Sequence, residues 1–232
     1  MELFSDQFNG YLWQMVQGAY ITLQLFAAGF TLALVLGTLI GIVTLSRNWL
    51  IQAVWKTYAS IIMGVPSLLI IFLLYYGGSA MLSGLFGTDR SFDVTPFGAG
   101  VTALTIVYAA YVAELVHGAV MNLPKGQFEA CSALAIGPVA AWRHVILPQL
   151  TRLALPGLVN IWMIVLKDTP LVSLAGLNDL VANAKIAAGA TKEPFIFFIA
   201  ASLFFIVFSA LTLRLSARLE ARFGRGLAEV KA

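Results

Sequence analysis

No charged side chain occurs between Asp6 and Arg47, and the densest apolar run in that window covers residues 21–45. A second uncharged window, between Lys56 and Asp89, is centred on residues 57–76. A third run, 97–121, is interrupted only by Glu114 and His117, and a fourth, 153–174, only by Lys167 and Asp168. The fifth is 195–213. Each is long enough to cross a hydrocarbon layer of about 30 Å at about 1.5 Å per residue. Lipid offers backbone amides no partners, so each run predicts a helix that satisfies its amides internally. The pattern therefore predicts an all-α membrane protein with five spans.

The segments between the runs differ in kind. Residues 83–96 are rich in Gly, Ser, Thr and Asp, as in a turn-forming loop. Within 175–194, apolar residues at helical spacing predict a short interfacial helix over 177–187. The longest polar interruption is 125–152. It predicts one helix over 128–135, a stop at Gly137-Pro138, and a second helix from about 139 to 145, before Pro148.

Loop charge orients the chain. The segments after spans one and three, with the C-terminal tail, carry Arg47, Lys56, Lys125, Arg143, Arg152, Arg214, Arg218, Arg222, Arg225 and Lys231. The opposite side carries Arg90, Lys185 and Lys192. Cytoplasmic loops hold the excess of Lys and Arg, so the N-terminus is expected outside, and the 125–152 loop and C-terminus inside. The net charge of +3 is thus topogenic, and no nucleic-acid partner is implied. Of 232 residues, 60% are hydrophobic and 11% charged, well below the quarter usual in soluble domains. Cys131 is the one cysteine, which excludes an internal disulfide. Glu2 and Asp6 stand where a cleaved signal would be basic, so the first span is expected to serve as its own signal.

The sequence carries no phosphate-cradling G-x-x-x-x-G-K-[ST] loop, no Cys/His cluster at metal-ligand spacing and no nucleophile–base pair. No catalytic residue, metal or bound cofactor is expected. The 125–152 loop, lying outside the lipid, is suited to dock a soluble partner; by composition alone it is equally an amphipathic connector.

Resemblance adds to this. Glu129-Ala130 and Leu147-Pro148, at their spacing, resemble the EAA loop of ABC importer permeases. Cys131, Ala135 and Val145 depart from that pattern, which has Ala, Gly and Ile there. Ala135 matters most, because Gly permits a left-handed turn; Gly137 is expected to take over the helix stop. Gly18-Ala19, Thr22-Leu23, Gly64-Val65-Pro66, Tyr111, Ala113-Glu114, Gly118, Leu155-Pro156-Gly157 and the 166–174 stretch resemble the polar amino acid branch. Its histidine/lysine/arginine/ornithine and opine permeases are the most similar. Met63 and His117 stand where that branch has Arg.

The resemblance implies a type I importer permease fold at 19–218, with an extracytoplasmic segment 1–18, a coupling loop at about 125–150 and a cytoplasmic tail 219–232. It implies an ATPase dimer that binds the ATP and Mg, a second permease subunit, an extracytoplasmic solute-binding protein, and the bacterial inner membrane. Gly126, Glu129, Ala130, Cys131, Ala135, Gly137, Leu147 and Pro148 would form the coupling loop. There Glu129 would bond or cap within the helix, and Ala130 and Cys131 would fit against the ATPase. A polar, basic amino acid or an opine is the expected substrate.

The intramembrane charges have two readings each. Lys167 and Asp168 either line the substrate path, with Thr169 and Ser173, or themselves sit at an interface beyond a span ending at Val165; an ion-coupled transporter or channel would use the same two charges. Glu114 and His117, three apart on one helix face, suggest a structural pair. Gly37-x-x-x-Gly41 permits close helix approach, most simply within the subunit. The arginines after span five suggest an amphipathic tail held by anionic lipid.

Overall fold

The computed structural model describes residues 2–86 and 94–224. Among them the structure is helical, with no strand. Helix α1 (Glu2–Val43) is followed by α2 (Trp49–Gly64), α3 (Ser67–Phe86), α4 (Pro96–Met121) and α5 (Lys125–Ala133). Then come α6 (Pro138–Ala141), a π-helical turn (Trp142–Ile146), α7 (Leu147–Asp168) and a 3₁₀ segment (Thr169–Ala175). Helices α8 (Leu180–Thr191) and α9 (Pro194–Gly224) complete the chain. Residues 87–93 of the 83–96 loop, and the tail beyond residue 224, lie outside the described residues.

Four helical stretches are long and apolar enough to span a membrane, and the bent pair α2–α3 makes a fifth. Helix α4 sits at the centre: 67% of its apolar window is buried, against 11% for α9. Its start is set by Thr95, whose hydroxyl accepts from the Gly98 N–H at 3.1 Å, with Pro96 in the first turn, where a missing N–H costs nothing. Helix α1 packs along it. A Cβ on Gly37 would lie 2.7 Å from the Ala109 carbonyl oxygen, and one on Gly41 would lie 2.8 Å from that of Ala113. The Gly37/Gly41 pair therefore serves packing within the subunit. Around this seam Leu25, Ala33, Leu104, Val112, Val165 and Leu166 form a fully enclosed core.

The second span departs from the expected single run over 57–76. It bends by 101° between α2 and α3. Val65 precedes Pro66 and is extended (φ −104°, ψ 132°), because a residue before proline is pushed out of the helical region. Pro66 lacks the N–H that would continue the helix.

The fourth span begins earlier than expected, with one helical run extending from Pro138 to Ala175. Pro148 does not separate a second loop helix from the span. Its missing N–H is absorbed by the π turn, in which the Leu147 N–H reaches back five residues to the Trp142 carbonyl. The interfacial helix starts at Leu180 rather than 177, because Asp179 caps it by accepting from the Ala182 N–H at 2.8 Å. Helix α1 runs through residue 18 without a break, and α9 carries Arg214 and Arg218 on the same helix as the fifth span.

Candidate functional site

Two places gather the residues of interest: a cavity at the bend of the second span and the polar loop after α4.

The cavity, about 370 Å³, lies between α2, α3, α4 and α7. Met63, Val65, Pro66, Ser67, Tyr108, Tyr111 and Ile164 line it, with Asp168 as the only charged side chain among the described residues. One carboxylate oxygen, Oδ2 of Asp168, accepts from the Ser67 hydroxyl at 2.9 Å and from the Tyr108 hydroxyl at 2.5 Å. Hydrogen bonds to an ionised acceptor are short and stronger than neutral ones. They offset part of the cost of enclosing a charge within a span, which reaches at least about 2.5–3.5 kcal/mol for a group near a bilayer centre. Oδ1 accepts no hydrogen bond from the described residues. The break at Val65-Pro66 also opens the N-terminus of α3 onto the cavity at Ser67. Broken helices with free ends at a cavity are how membrane transporters coordinate polar cargo.

Of the four residues expected along a substrate path, the structure brings only Asp168 to this cavity. Lys167 is exposed on another face of α7. Thr169 is fully buried and its hydroxyl donates to the Leu166 carbonyl at 2.8 Å. Ser173 donates to the Pro170 carbonyl at 2.6 Å. A hydroxyl in the last turns of a helix can satisfy itself on the preceding turn, so Thr169 and Ser173 need no external ligand. Ser67 and Tyr108 are the residues that sequence reasoning missed. The available signal was a tyrosine in mid-span, whose hydroxyl needs a partner when buried.

The Glu114–His117 pair does not form. Glu114 is exposed, whereas His117 shares a 2.9 Å hydrogen bond with Thr44 at the end of α1. Thr44 donates its one proton to the Gly41 carbonyl at 2.7 Å, so it receives from His117 Nδ1–H. The link ties α4 to α1, one turn beyond Gly41.

In the polar loop, α5 spans Lys125–Ala133 rather than 128–135. It ends with Ala135 at φ +52°, while Gly137 is extended (φ −59°, ψ 150°) and caps α6. Gly137 therefore does not take over the stop: Ala135 makes the left-handed turn itself. The reason is hydrogen bonding. The Ile136 N–H bonds the Cys131 carbonyl at 2.9 Å and the Ala135 N–H that of Ser132 at 3.1 Å, closing the end of the helix as a Schellman turn does.

The Glu129 side chain is exposed and bonds no other described residue, so it does not cap α5. Cys131 is 6% exposed, so little of its side chain is open to a partner. Gly126, Ala130, Ala135, Gly137, Leu147 and Pro148 are exposed. Helix α5 is held to the next run by Gln149, which donates to Gln127 Oε1 at 3.0 Å, and by an edge contact of Phe128 on Trp142. Pro138, Val139, Trp142, Arg143 and Leu147 line a shallow apolar hollow beside it, with Val139 80% exposed. No group of metal-ligating side chains occurs among the described residues.

Residues 10–225 match the family described as binding-protein-dependent transport system inner membrane component. The chain is 36% identical to the nopaline transport system permease protein NocQ of Agrobacterium fabrum, over 92% of each chain. It is 34% identical to the histidine/lysine/arginine/ornithine transport system permease protein HisQ of Salmonella typhimurium, over 94% of this chain and 96% of that one. Its fold resembles the crystal structure of an amino acid ABC transporter with histidines, with a TM-score of 0.80 at 30% identity, over 93% of this chain and 97% of that one. The methionine transporter MetNI shares the fold at a TM-score of 0.69 and 17% identity, over 91% of this chain and 96% of that one. The chain thus belongs to the binding-protein-dependent importer permeases: it is a multi-pass membrane subunit that does not itself hydrolyse ATP.

Proposed function

We propose, from that membership and from the cavity chemistry, that this permease passes a cationic amino acid or an opine through a pathway that includes Asp168. The carrying observation is a cavity with one carboxylate, one of whose oxygens accepts no bond, and no cationic lining residue, among the described residues. An ammonium or guanidinium group would find at Oδ1 a charge-assisted acceptor already oriented by Tyr108 and Ser67. Met63, which lines the cavity, is uncharged and leaves the field of Asp168 uncompensated. The α3 N-terminus, with its partial positive charge, suits the substrate's carboxylate. The substrates in the names of NocQ and HisQ agree with this reading.

The test is labelled uptake by the assembled importer. Asp168→Asn should lower kcat/KM for a cationic substrate at least about tenfold more than for a neutral one, a difference of about 1.4 kcal/mol. Equal losses would remove Asp168 from the pathway.

The loop reading follows the same logic. Helix α5 and the hollow beside Val139 would dock into a cytoplasmic ATPase, with Glu129, Ala130 and Leu147 facing it and Ala135 and Gly137 setting the angle between the two helical arms. Pro148 would act through the π turn. A second permease subunit would close the other side of the pathway and a solute-binding protein would deliver the substrate. The charge asymmetry supports an outside N-terminus and a cytoplasmic C-terminus in the bacterial inner membrane. The permease domain would be 19–218, between the segments 1–18 and 219–232. Glu129→Lys should abolish stimulated ATP hydrolysis and weaken co-purification of the ATPase; unchanged coupling would place docking elsewhere.

A further inference from the structure

On the side of α7 away from the cavity, α1, α7 and α9 leave a second concavity of about 240 Å³. Phe30 and Leu34 line it from α1, Leu155 and Trp162 from α7, and Leu215 and Ser216 from α9. Trp162 Nε1 donates to the Thr212 hydroxyl at 3.3 Å, which holds α7 against α9 there. The groove lies on the flank formed by α9, of whose apolar window only 11% is buried, so hydrocarbon chains are its natural surroundings.

Two arginines stand at one end of it. Arg152 precedes Leu155 by three residues on α7, and Arg218 follows Leu215 by three on α9, so each lies one turn from a groove residue on the same helix face. The two helices run in opposite directions, which puts both arginines at the end of the bundle that carries the α5 loop. Arg218 is exposed. The Nε–H of Arg152 is buried and has no hydrogen-bond partner among the described residues. Arg152 as a whole is half-buried and its Nε is enclosed by protein, so a phosphate would meet the outer N–H groups of its guanidinium, a planar fork that matches phosphate geometry.

We infer that this groove is a phospholipid site, with an acyl chain against Phe30, Leu155 and Trp162 and an anionic phosphodiester headgroup between Arg152 and Arg218. Basic pockets between spanning helices bind anionic headgroups in this way. The preference for anionic lipid stands without any transport assignment; only the leaflet, the cytoplasmic one, rests on the orientation proposed above.

Quenching of Trp162 tests it. The assembled importer is placed in nanodiscs containing lipid brominated on the acyl chain, either phosphatidylglycerol or phosphatidylcholine, each titrated over the same range of mole fraction. The Trp162 contribution is found by difference from a Trp162→Phe protein. Brominated phosphatidylglycerol should reach half-maximal quenching at about five-fold lower mole fraction or better, and the advantage should shrink as salt is raised. The double variant Arg152→Gln/Arg218→Gln should lose the advantage while phosphatidylcholine quenching is kept. Equal quenching by the two lipids in the unaltered protein, or an advantage that survives in the double variant, would overturn the assignment. The salt titration needs no variant, so poor folding of the double variant leaves the test intact. Because the readout is lipid contact, its failure is separable from failure of the transport reading.

Discussion

The seam between α1 and α4 and the wall built by α2 and α3 are made by different rules. Along the seam, Gly37 and Gly41 bring backbones together so closely that a Cβ would meet a carbonyl oxygen below 3 Å. The Thr44–His117 bond reinforces it, and nearer the start of α1 the hydroxyl of Thr22 fixes a third helix. Thr22 donates to the Gly18 carbonyl and accepts from the Leu180 N–H, clamping α8 onto α1. At the α2–α3 wall the chain is bent, a cavity stands open, and a Cβ on Gly64 would have nothing within 4 Å. Van der Waals packing between spanning helices is what holds them together in lipid, so the first region is suited to stay fixed and the second to change shape. A pathway through the protein needs both.

The comparison breaks most sharply on glycine replacement. Gly41→Leu would force the seam apart against backbone atoms, costing at least about 3 kcal/mol. Gly64→Ala meets open space and should cost less than about 0.5 kcal/mol. Thermal melting of the purified proteins would check both, and equal losses would erase the distinction between the two regions.

The next effect belongs to the fixed side. Asp179 is fully buried between the 3₁₀ segment and α8, with Oδ2 lacking a partner among the described residues. Burial outweighs its hydrogen bonds to the Ala182 and Val181 N–H groups and raises its pKa from the usual 3.8 to about 6. A raised carboxyl pKa means that the folded state holds the proton more tightly. Its contribution is therefore full below about pH 4, is lost as pH rises towards 6, and is flat above. Asp179→Asn keeps an N-cap and removes the charge, so it should stabilise the protein at pH 7.5 by up to about 2–3 kcal/mol. It should also flatten the fall in Tm between pH 5 and 7.5, and a variant that melts lower at pH 7.5 would contradict this account.

On the changeable side, Tyr108→Phe leaves Asp168 with Ser67 alone. The loss of one charge-assisted bond, about 1.5–3 kcal/mol, should appear as weaker uptake of cationic substrates at unchanged assembly. Uptake assays beside size-exclusion profiles separate the two. The smallest effect is at the loop. Ala135 pays for its left-handed turn, and Ala135→Gly should raise stability by about 0.5–1 kcal/mol with ATPase stimulation retained. A lower Tm would mean that the turn is held by something other than its hydrogen bonds.

What could be read from residue order follows the solvent. Lipid forces helices wherever the chain is apolar, so the five spans and the polar loop were visible without any contact being known. So was the family, through Glu129-Ala130, Leu147-Pro148 and the motifs in the spans. Even the bend had its local cause in Val65-Pro66, although the apolar run concealed it. Helix ends were less legible: 125 and 180 are starts chosen by a turn and by the cap of Asp179.

The partners of the polar groups were beyond the sequence. Asp168 is bonded to residues 101 and 60 positions away, and His117 to one 73 positions away. Periodicity places a residue on a face of its own helix but says nothing about which other helix comes to that face. Thus the order of residues decided that this chain lives in lipid as helices around a polar loop. Only the packing of one helix on another decided that Asp168 faces a cavity, that Lys167, Thr169 and Ser173 do not, and that Cys131 is hidden, because a side chain's surroundings are set by contacts between distant segments.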